Sequence, residues 1–213
     1  MKAIVLGGSK GIGKAIADSL SSIGCDVMAS SRQDVDTSDL SSVKKFIETY
    51  KQTDILVLNT GGPPPKQFQE VTEAEWQKYH NQLFLGFCLI LQKLKINDGG
   101  YIFVITSGVI KEPNPRLIIS SAYRIAFTAV FKLLSKDLAA RQISCVNIAP
   151  GLINTDRLRD LGNADDLAKN LPMKRLGEPK EIGEFVKSII QNKIKYLSGV
   201  TINFDGASSS YIL

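Results

Sequence analysis

The sequence predicts an α/β fold: a doubly wound sheet of about six or seven parallel strands with helices on both faces. Three observations carry this. Short apolar runs alternate along the chain with longer segments of helical period. The runs are nearly continuous in Val, Ile, Leu and Phe, as strands covered on both faces are, and such strands belong to parallel sheets. The first run passes straight into a glycine-rich turn and then a helix, which is how a βαβ unit opens.

In chain order, Lys2–Leu6 is the first strand, and Ile12, Ile16, Leu20 and Ile23 recur at helical spacing after it. Asp26–Ser30 and Ile55–Asn59 are the next strands. Thr72-Glu73-Ala74-Glu75 forms a capping box that opens a helix bearing Trp76, Leu83, Phe87, Ile90, Leu91 and Leu94. Tyr101–Thr106 is a strand, and a helix is expected from about Ser120 to Arg141. Ile143–Ala149 is the fifth strand. Glu178-Pro179-Lys180-Glu181 starts a further helix, with proline in its first turn, before the last strand at Val200–Phe204. No repeat or low-complexity linker divides the chain, so residues 1–213 are expected to form one domain.

Composition removes several function classes. Hydrophobic residues make up 44% and charged residues 22%, ordinary for a globular protein. The net charge is +5, yet the basic residues are scattered among acidic ones with no block interleaved with aromatics. Nucleic-acid binding is therefore not expected, and a small anionic ligand accounts for the excess equally well. Cys25, Cys88 and Cys145 are odd in number, far apart and set in apolar segments, which reads as reduced core thiols rather than a disulfide frame or a zinc site. His80 is the only histidine and suits a surface or capping role, so no metal site is expected. The apolar start is too short for a signal sequence, and no stretch reads as a membrane span, so a cytoplasmic protein is expected.

The turn Gly7-Gly8-Ser9-Lys10-Gly11-Ile12-Gly13 joins the first strand to the first helix. Its glycines allow a tight turn and close approach of backbone to a pyrophosphate, and the helix N-terminus offers free N–H groups and a positive dipole end. Gly7, Ser9, Lys10, Gly11, Ile12 and Gly13 are thus candidate dinucleotide contacts. An NAD site places a carboxylate at the end of the second strand. Here that strand ends Ala29-Ser30-Ser31-Arg32, without an acid, and Lys10 sits in the turn. Lys10 and Arg32 suit a 2′-phosphate, so NADP(H) is expected over NAD(H).

The spacing G-x-x-x-G-x-G resembles the short-chain dehydrogenase/reductase family, and the resemblance covers the whole chain. Asp54-Ile55-Leu56-Val57-Leu58-Asn59-Thr60-Gly61 is similar to the family's D-x-L-V-N-N-A-G strand, with Leu58 in place of the first Asn. Asn147-Ile148-Ala149-Pro150-Gly151-Leu152-Ile153-Asn154-Thr155 is similar to its N-x-x-x-P-G-x-x-x-T stretch, and Arg175-Leu176-Gly177-Glu178-Pro179 and Asp205-Gly206 match its later landmarks. The pattern is nearest the 3-oxoacyl-carrier-protein-reductase-like and glucose-dehydrogenase-like branches. The resemblance implies a Rossmann-type domain, with cofactor contacts from Asn59, Thr60 and Gly61 and from Pro150, Gly151, Ile153 and Thr155. It also implies adenine contacts from Asp34 and Val35. Only residues 33–54 separate Arg32 from the strand at Ile55, so one helix and strand of the usual fold are trimmed or merged between strands 2 and 4. Family members commonly pair through the helix after Ser120 and its predecessor. That helix is apolar around most of its circumference (Ile125, Phe127, Val130, Phe131, Leu133, Leu134), so a homo-dimer or homo-tetramer is expected.

The resemblance implies reduction of a carbonyl, or oxidation of an alcohol, by a serine, a tyrosine about thirteen residues on and a lysine four beyond that. Ser107 holds the serine position, but the other two fall on Ser120 and Arg124. The residues four beyond Tyr50, Tyr79, Tyr101, Tyr123 and Tyr196 are Asp54, Leu83, Ile105, Phe127 and Val200, so none forms the usual tyrosine–lysine pair. The family's helix asparagine falls on Leu83. A serine hydroxyl is a far weaker acid than a phenol, and arginine does not relay protons at neutral pH. Tyr123 lies next to Arg124 and points about 100° away on a helix. Lys111 and Glu112, on the loop after Ser107, are candidate substitute acids or plain solvated charges. Two readings remain open: an NADP(H)-dependent oxidoreductase acting on a small carbonyl or alcohol with Ser107, Ser120 and Arg124 as its catalytic set, or a non-catalytic dinucleotide-binding protein. Residues 154–176 would shape the substrate pocket.

Overall fold

The six apolar runs become six strands of one parallel sheet: β1 (Lys2–Val5), β2 (Asp26–Ala29), β3 (Gln52–Leu58), β4 (Lys95–Ile105), β5 (Ser144–Pro150) and β6 (Val200–Phe204). A computed structural model describes residues 1–160, 162 and 164–211. The strand order is β2-β1-β3-β4-β5-β6. Alternate side chains of each strand feed opposite faces. Ile55 and Val57 of β3 join one core layer, with Ile16 and Leu20 of α1 (Gly11–Ser21) and Ile182, Val186 and Ile189 of α8 (Pro179–Gln191). Leu56 and Leu58 join the other layer. It contains Val43 and Phe46 of α2 (Leu40–Thr49), Phe87 and Ile90 of α4 (Gly86–Lys93), and Phe127 and Phe131 of α5 (Ile118–Ala139). Each such side chain contributes about 1.5–3 kcal/mol by leaving water.

The shortening lies where the spacing placed it. A single helix, α2, carries the chain from β2 to β3, and β3 pairs directly with β1. Asp39 caps α2 by accepting from the Ser41 amide at 2.8 Å. β4 begins six residues earlier than the apolar run suggests. Lys95 and Ile96 pair with Gln52 and Thr53, and the register then shifts at Asn97–Gly100, where Asn97 Nδ2 donates to Asp54 Oδ1 (2.7 Å) and Gly99 takes φ +71°.

The capping box at Thr72 opens α3 (Glu73–His80) as expected, but the helix is not regular to Leu94. A π turn at Asn81–Leu85 separates α3 from α4. Glu75 in the box accepts from Lys66 Nζ at 2.6 Å and from the Thr72 amide at 3.0 Å, and these bonds, Lys66 first, pull its pKa from 4.5 to about 2. Its contribution to stability is therefore present above pH 4.5 and lost as the pH falls towards 2. Thermal melts of the wild type and Glu75→Gln should differ at pH 7 and converge near pH 2.

By length and composition α5 is apolar enough to cross a membrane, which qualifies the expectation that no segment would be. Phe127 and Phe131 sit in the sheet core, and Arg124 is buried on the same helix. Here α5 is a core helix. Cys25, Cys88 and Cys145 are free thiols, and burial pushes Cys145 to about 12. His80 ends α3 with its ring between Phe84 and Tyr123, centroids 5.5 and 5.4 Å away.

Candidate active site

The C-terminal ends of β1, β3, β4 and β5 carry the candidate residues, which is where open parallel sheets present their ligand crevice. At the end of β1 the glycine turn is set by contact. A Cβ on Gly13 would stand 2.1 Å from Gly7 O and 2.7 Å from Asn59 Nδ2, so only glycine fits. Asn59 Nδ2 donates to Gly7 O at 3.3 Å, tying the β3 end to the turn. Gly7 and Gly11 both take positive φ, +60° and +56°. Lys10 is the N-cap residue of α1, yet no side chain caps the helix. The first-turn amides therefore lack a side-chain acceptor, an arrangement that suits a phosphate. Ser9 and Lys10 are exposed and Ile12 is half-buried against the core.

The loop after β5 closes on this turn. Thr155 Cγ2 lies 3.4 Å from where a Gly11 Cβ would be, and Thr155 Oγ1 accepts from the Leu158 amide as the loop enters α6 (Asp156–Asp160). A second short helix, α7 (Ala164–Asn170), completes the segment. Ile153 is buried and bridges Gly177, while Pro150 and Gly151 form the loop's root, where the Gly151 amide donates to Phe204 O.

Two expectations at the adenine end are altered. The strand end Ala29-Ser30-Ser31-Arg32 holds no acid, but Asp36 comes round to accept from Arg32 Nε at 2.7 Å. The pair is exposed on the arginine side and so weak, and a 2′-phosphate would compete with Asp36 for Arg32. Asp34 is exposed and accepts from the Ser31 amide and hydroxyl, both at 2.7 Å. Val35 is 6% exposed within the core cluster of Val43 and Phe46, so its side chain is not free to meet adenine and only its backbone remains for that role.

At the β4 end Arg124 joins Ser120 to the carbonyl of Ile105, two residues before Ser107. Asn147 of β5 is buried and holds the strand ends together, accepting from Thr106 Oγ1 (2.7 Å) and donating to Thr201 Oγ1 (3.1 Å). Ser107 follows Thr106 and accepts from the Val109 amide at 3.4 Å. Arg124, 7% exposed, donates from Nε to Ser120 Oγ (3.2 Å), from Nη1 to Ile105 O (2.9 Å) and from Nη2 to Thr60 O (3.5 Å). The resemblance implies Ser120 and Arg124, four residues apart on one helix face, and the structure adds the bridge to the β3 and β4 ends. Burial first, and then the charge of Arg157, lower the Arg124 guanidinium to about 10.

The alternative proton donors are occupied. Tyr123 donates its hydroxyl to Trp76 O at 3.1 Å. Glu112 Oε1 accepts from the Ser210 amide at 2.7 Å, and Lys111 lies over the Tyr211 ring at 4.8 Å, so both face the C-terminal tail. Two site residues were not foreseen. Gln82, turned by the π turn, donates to Gly61 O (2.6 Å) and Thr60 Oγ1 (3.2 Å), whereas Leu83, at the expected asparagine position, is buried. Arg157 of α6 donates to Pro63 O at 2.9 Å. An amide beside Asn81 at the start of an apolar stretch was the only signal for Gln82, and the place just after Thr155 the only one for Arg157.

The sequence profile of the family described as Enoyl-(Acyl carrier protein) reductase matches residues 34–208. The chain belongs to this family of short-chain dehydrogenases/reductases. Within it, the chain is of the 3-oxoacyl-acyl-carrier-protein-reductase-like type. The 3-oxoacyl-[acyl-carrier-protein] reductase of Haemophilus influenzae is 27% identical over 96% of both chains. A mutant short-chain dehydrogenase/reductase of Serratia marcescens is 26% identical, covers 98% of both chains and superposes with a TM-score of 0.86. A blue fluorescent protein from a metagenomic library, solved in complex with NADPH, superposes with a TM-score of 0.88 at 24% identity over 98% of both chains, a likeness of fold. Short-chain dehydrogenases/reductases are oxidoreductases, and this chain keeps their fold.

Proposed function

We propose that residues 1–213 work as one NADP(H)-dependent oxidoreductase domain, acting on a small carbonyl or alcohol through Ser107, Ser120 and Arg124. The observation that carries this is the buried 3.2 Å bond from Arg124 Nε to Ser120 Oγ. Because Ser120 accepts from a cation, its own proton is left to donate, and the charge-assisted bond polarises the hydroxyl towards giving it. Ser107 then polarises the carbonyl oxygen as a second donor. Lys10 and the amides of the α1 first turn hold the dinucleotide phosphates, Asn59 to Gly61 line the ribose path, and Pro150 to Thr155 shape the nicotinamide end. Bound there, the nicotinamide would supply or accept the hydride.

The test is absorbance of NADPH with a panel of small aldehydes and ketones. Turnover that Ser107→Ala and Ser120→Ala each lower about a hundredfold, with NADPH affinity kept, supports the reading. Tight NADPH binding without turnover in the wild type supports the second reading, a non-catalytic binding protein, which the diversion of Tyr123 to Trp76 O favours.

A cytoplasmic setting fits the three free thiols. The proposed assembly is a homo-dimer or homo-tetramer. Ile125, Val130 and Leu133 of α5 are 41%, 37% and 63% exposed, an apolar stripe opposite the buried Phe127 and Phe131. Light scattering at micromolar concentration should give at least twice the 23.3 kDa chain mass, and a single-chain mass would exclude the assembly.

A further inference from the structure

We infer that the substrate carries a negatively charged group, a carboxylate or a phosphate, which binds between Arg124 and Arg157. This rests on the reading of the cleft as a carbonyl-reducing site and adds the class of substrate. Arg124 is almost fully withdrawn from water, yet its three partners, Ser120 Oγ, Ile105 O and Thr60 O, are all neutral oxygens. A guanidinium has five N–H donors, so Nη1 and Nη2 each keep one unused. Buried charges are ordinarily paired with an opposite charge. Among the described residues neither Arg124 nor Arg157 makes a salt bridge.

Arg157 faces the same space from the rim. It is exposed, and its guanidinium reaches across to Pro63 O at 2.9 Å. A Cβ on Gly62 would lie 3.5 Å from Arg157 Nη2 and 3.8 Å from Arg124 Nη2, so the two cations border one point, and among the described residues no acid pairs with either. The loop that leaves this space open is Gly61-Gly62-Pro63-Pro64-Pro65. A side chain on Gly61 would meet Arg157 Nη1 at 3.2 Å, and the three prolines hold the backbone that positions Arg157. Their mutual repulsion adds to the burial that already disfavours the Arg124 charge. An oxyanion between the two forks relieves both effects and supplies the missing acceptors. Arg124 holds the carbonyl of Ile105, two residues before Ser107, so the anion would enter at the mouth that contains the Ser107 hydroxyl. The dinucleotide phosphates have their own place at the uncapped α1 N-terminus.

The experiment is calorimetric titration of the NADP⁺-loaded protein, at fixed ionic strength, with two pairs of carbonyl compounds. The pairs are acetoacetate against its methyl ester, and dihydroxyacetone phosphate against dihydroxyacetone. With the cofactor oxidised no hydride is available to reduce these ketones, and a flat NADPH absorbance shows that the hydroxyls of the dihydroxyacetone pair are not oxidised. In at least one pair the charged member should bind tenfold or more tightly than its neutral partner, and which pair responds separates carboxylate from phosphate. Arg157→Met should erase that advantage with NADP⁺ affinity changed less than twofold, and Arg157→Lys should restore part of it. Equal affinities within both pairs would overturn the inference, as would an advantage that survives in Arg157→Met. A tenfold loss of NADP⁺ affinity in Arg157→Met with the advantage intact would assign Arg157 to the cofactor instead. If NADP⁺ itself does not bind, the cofactor reading fails, and the same four ligands titrated onto the protein alone decide the anion site.

Discussion

Replacing Gly13 by alanine is expected to raise the dissociation constant for NADPH at least a hundredfold and to lower stability by about 3 kcal/mol. The added methyl would enter backbone rather than a movable side chain, 2.1 Å from Gly7 O. Relief requires the turn to move away from α1, which also breaks the bond from Asn59 to Gly7 O and displaces the first-turn amides. Gly24→Ala is the matched control. Gly24 takes φ +80° with nothing within 4 Å of its Cβ position, so only the backbone strain of about 1 kcal/mol is felt. Its cofactor affinity should be unchanged. Thermal melts and a fluorescence titration on the two variants separate the effects, and a Gly13→Ala protein that binds NADPH like the wild type would refute the assignment of the turn.

Arg124→Met is expected to abolish turnover, by at least a thousandfold, while shifting stability by less than about 2 kcal/mol in either direction. Two large terms oppose each other. The variant loses three hydrogen bonds and leaves Ile105 O and Thr60 O without their partner, but it also removes a desolvated charge that, among the described residues, makes no salt bridge. Methionine fills most of the space, so no cavity term enters. A residue that costs activity far more than stability is held for its chemistry. If Arg124→Met unfolds the protein, its role is structural; if turnover persists, the Ser120–Arg124 pair is not the proton source.

All six strands were legible because each contains a short run rich in apolar residues, as strands of a doubly covered sheet do. The capping box at Thr72 was legible because its partner is fixed in spacing, and the start of α8 because proline suits a first helical turn, whereas the capping box at Glu178 was not read. The π turn at Asn81–Leu85 was not, since the apolar residues on either side keep a helical rhythm through it. The same turn hid Gln82, because counting residues placed Leu83 at the site, and one extra residue in the turn rotates its neighbour inward. Asp36 escaped notice for a related reason. It lies four residues beyond Arg32, and only the turn of the backbone there brings the acid to the base. Ser120 and Arg124 were legible only through the family resemblance, which sets their offsets from Ser107. Arg157 was not, because its partner Pro63 is far away in sequence and belongs to a different loop.

The central claim is that the crevice above β1, β3 and β4 holds NADP(H). Calorimetric titration of the wild-type protein with NADPH and with NADH tests it most directly. The account predicts one site per chain and NADPH at least tenfold tighter, from charge-assisted contacts by Lys10 and Arg32 worth about 1.5–3 kcal/mol each, less whatever Asp36 retains of Arg32. Equal affinities would contradict the phosphate assignment, and no binding of either dinucleotide would contradict the account as a whole.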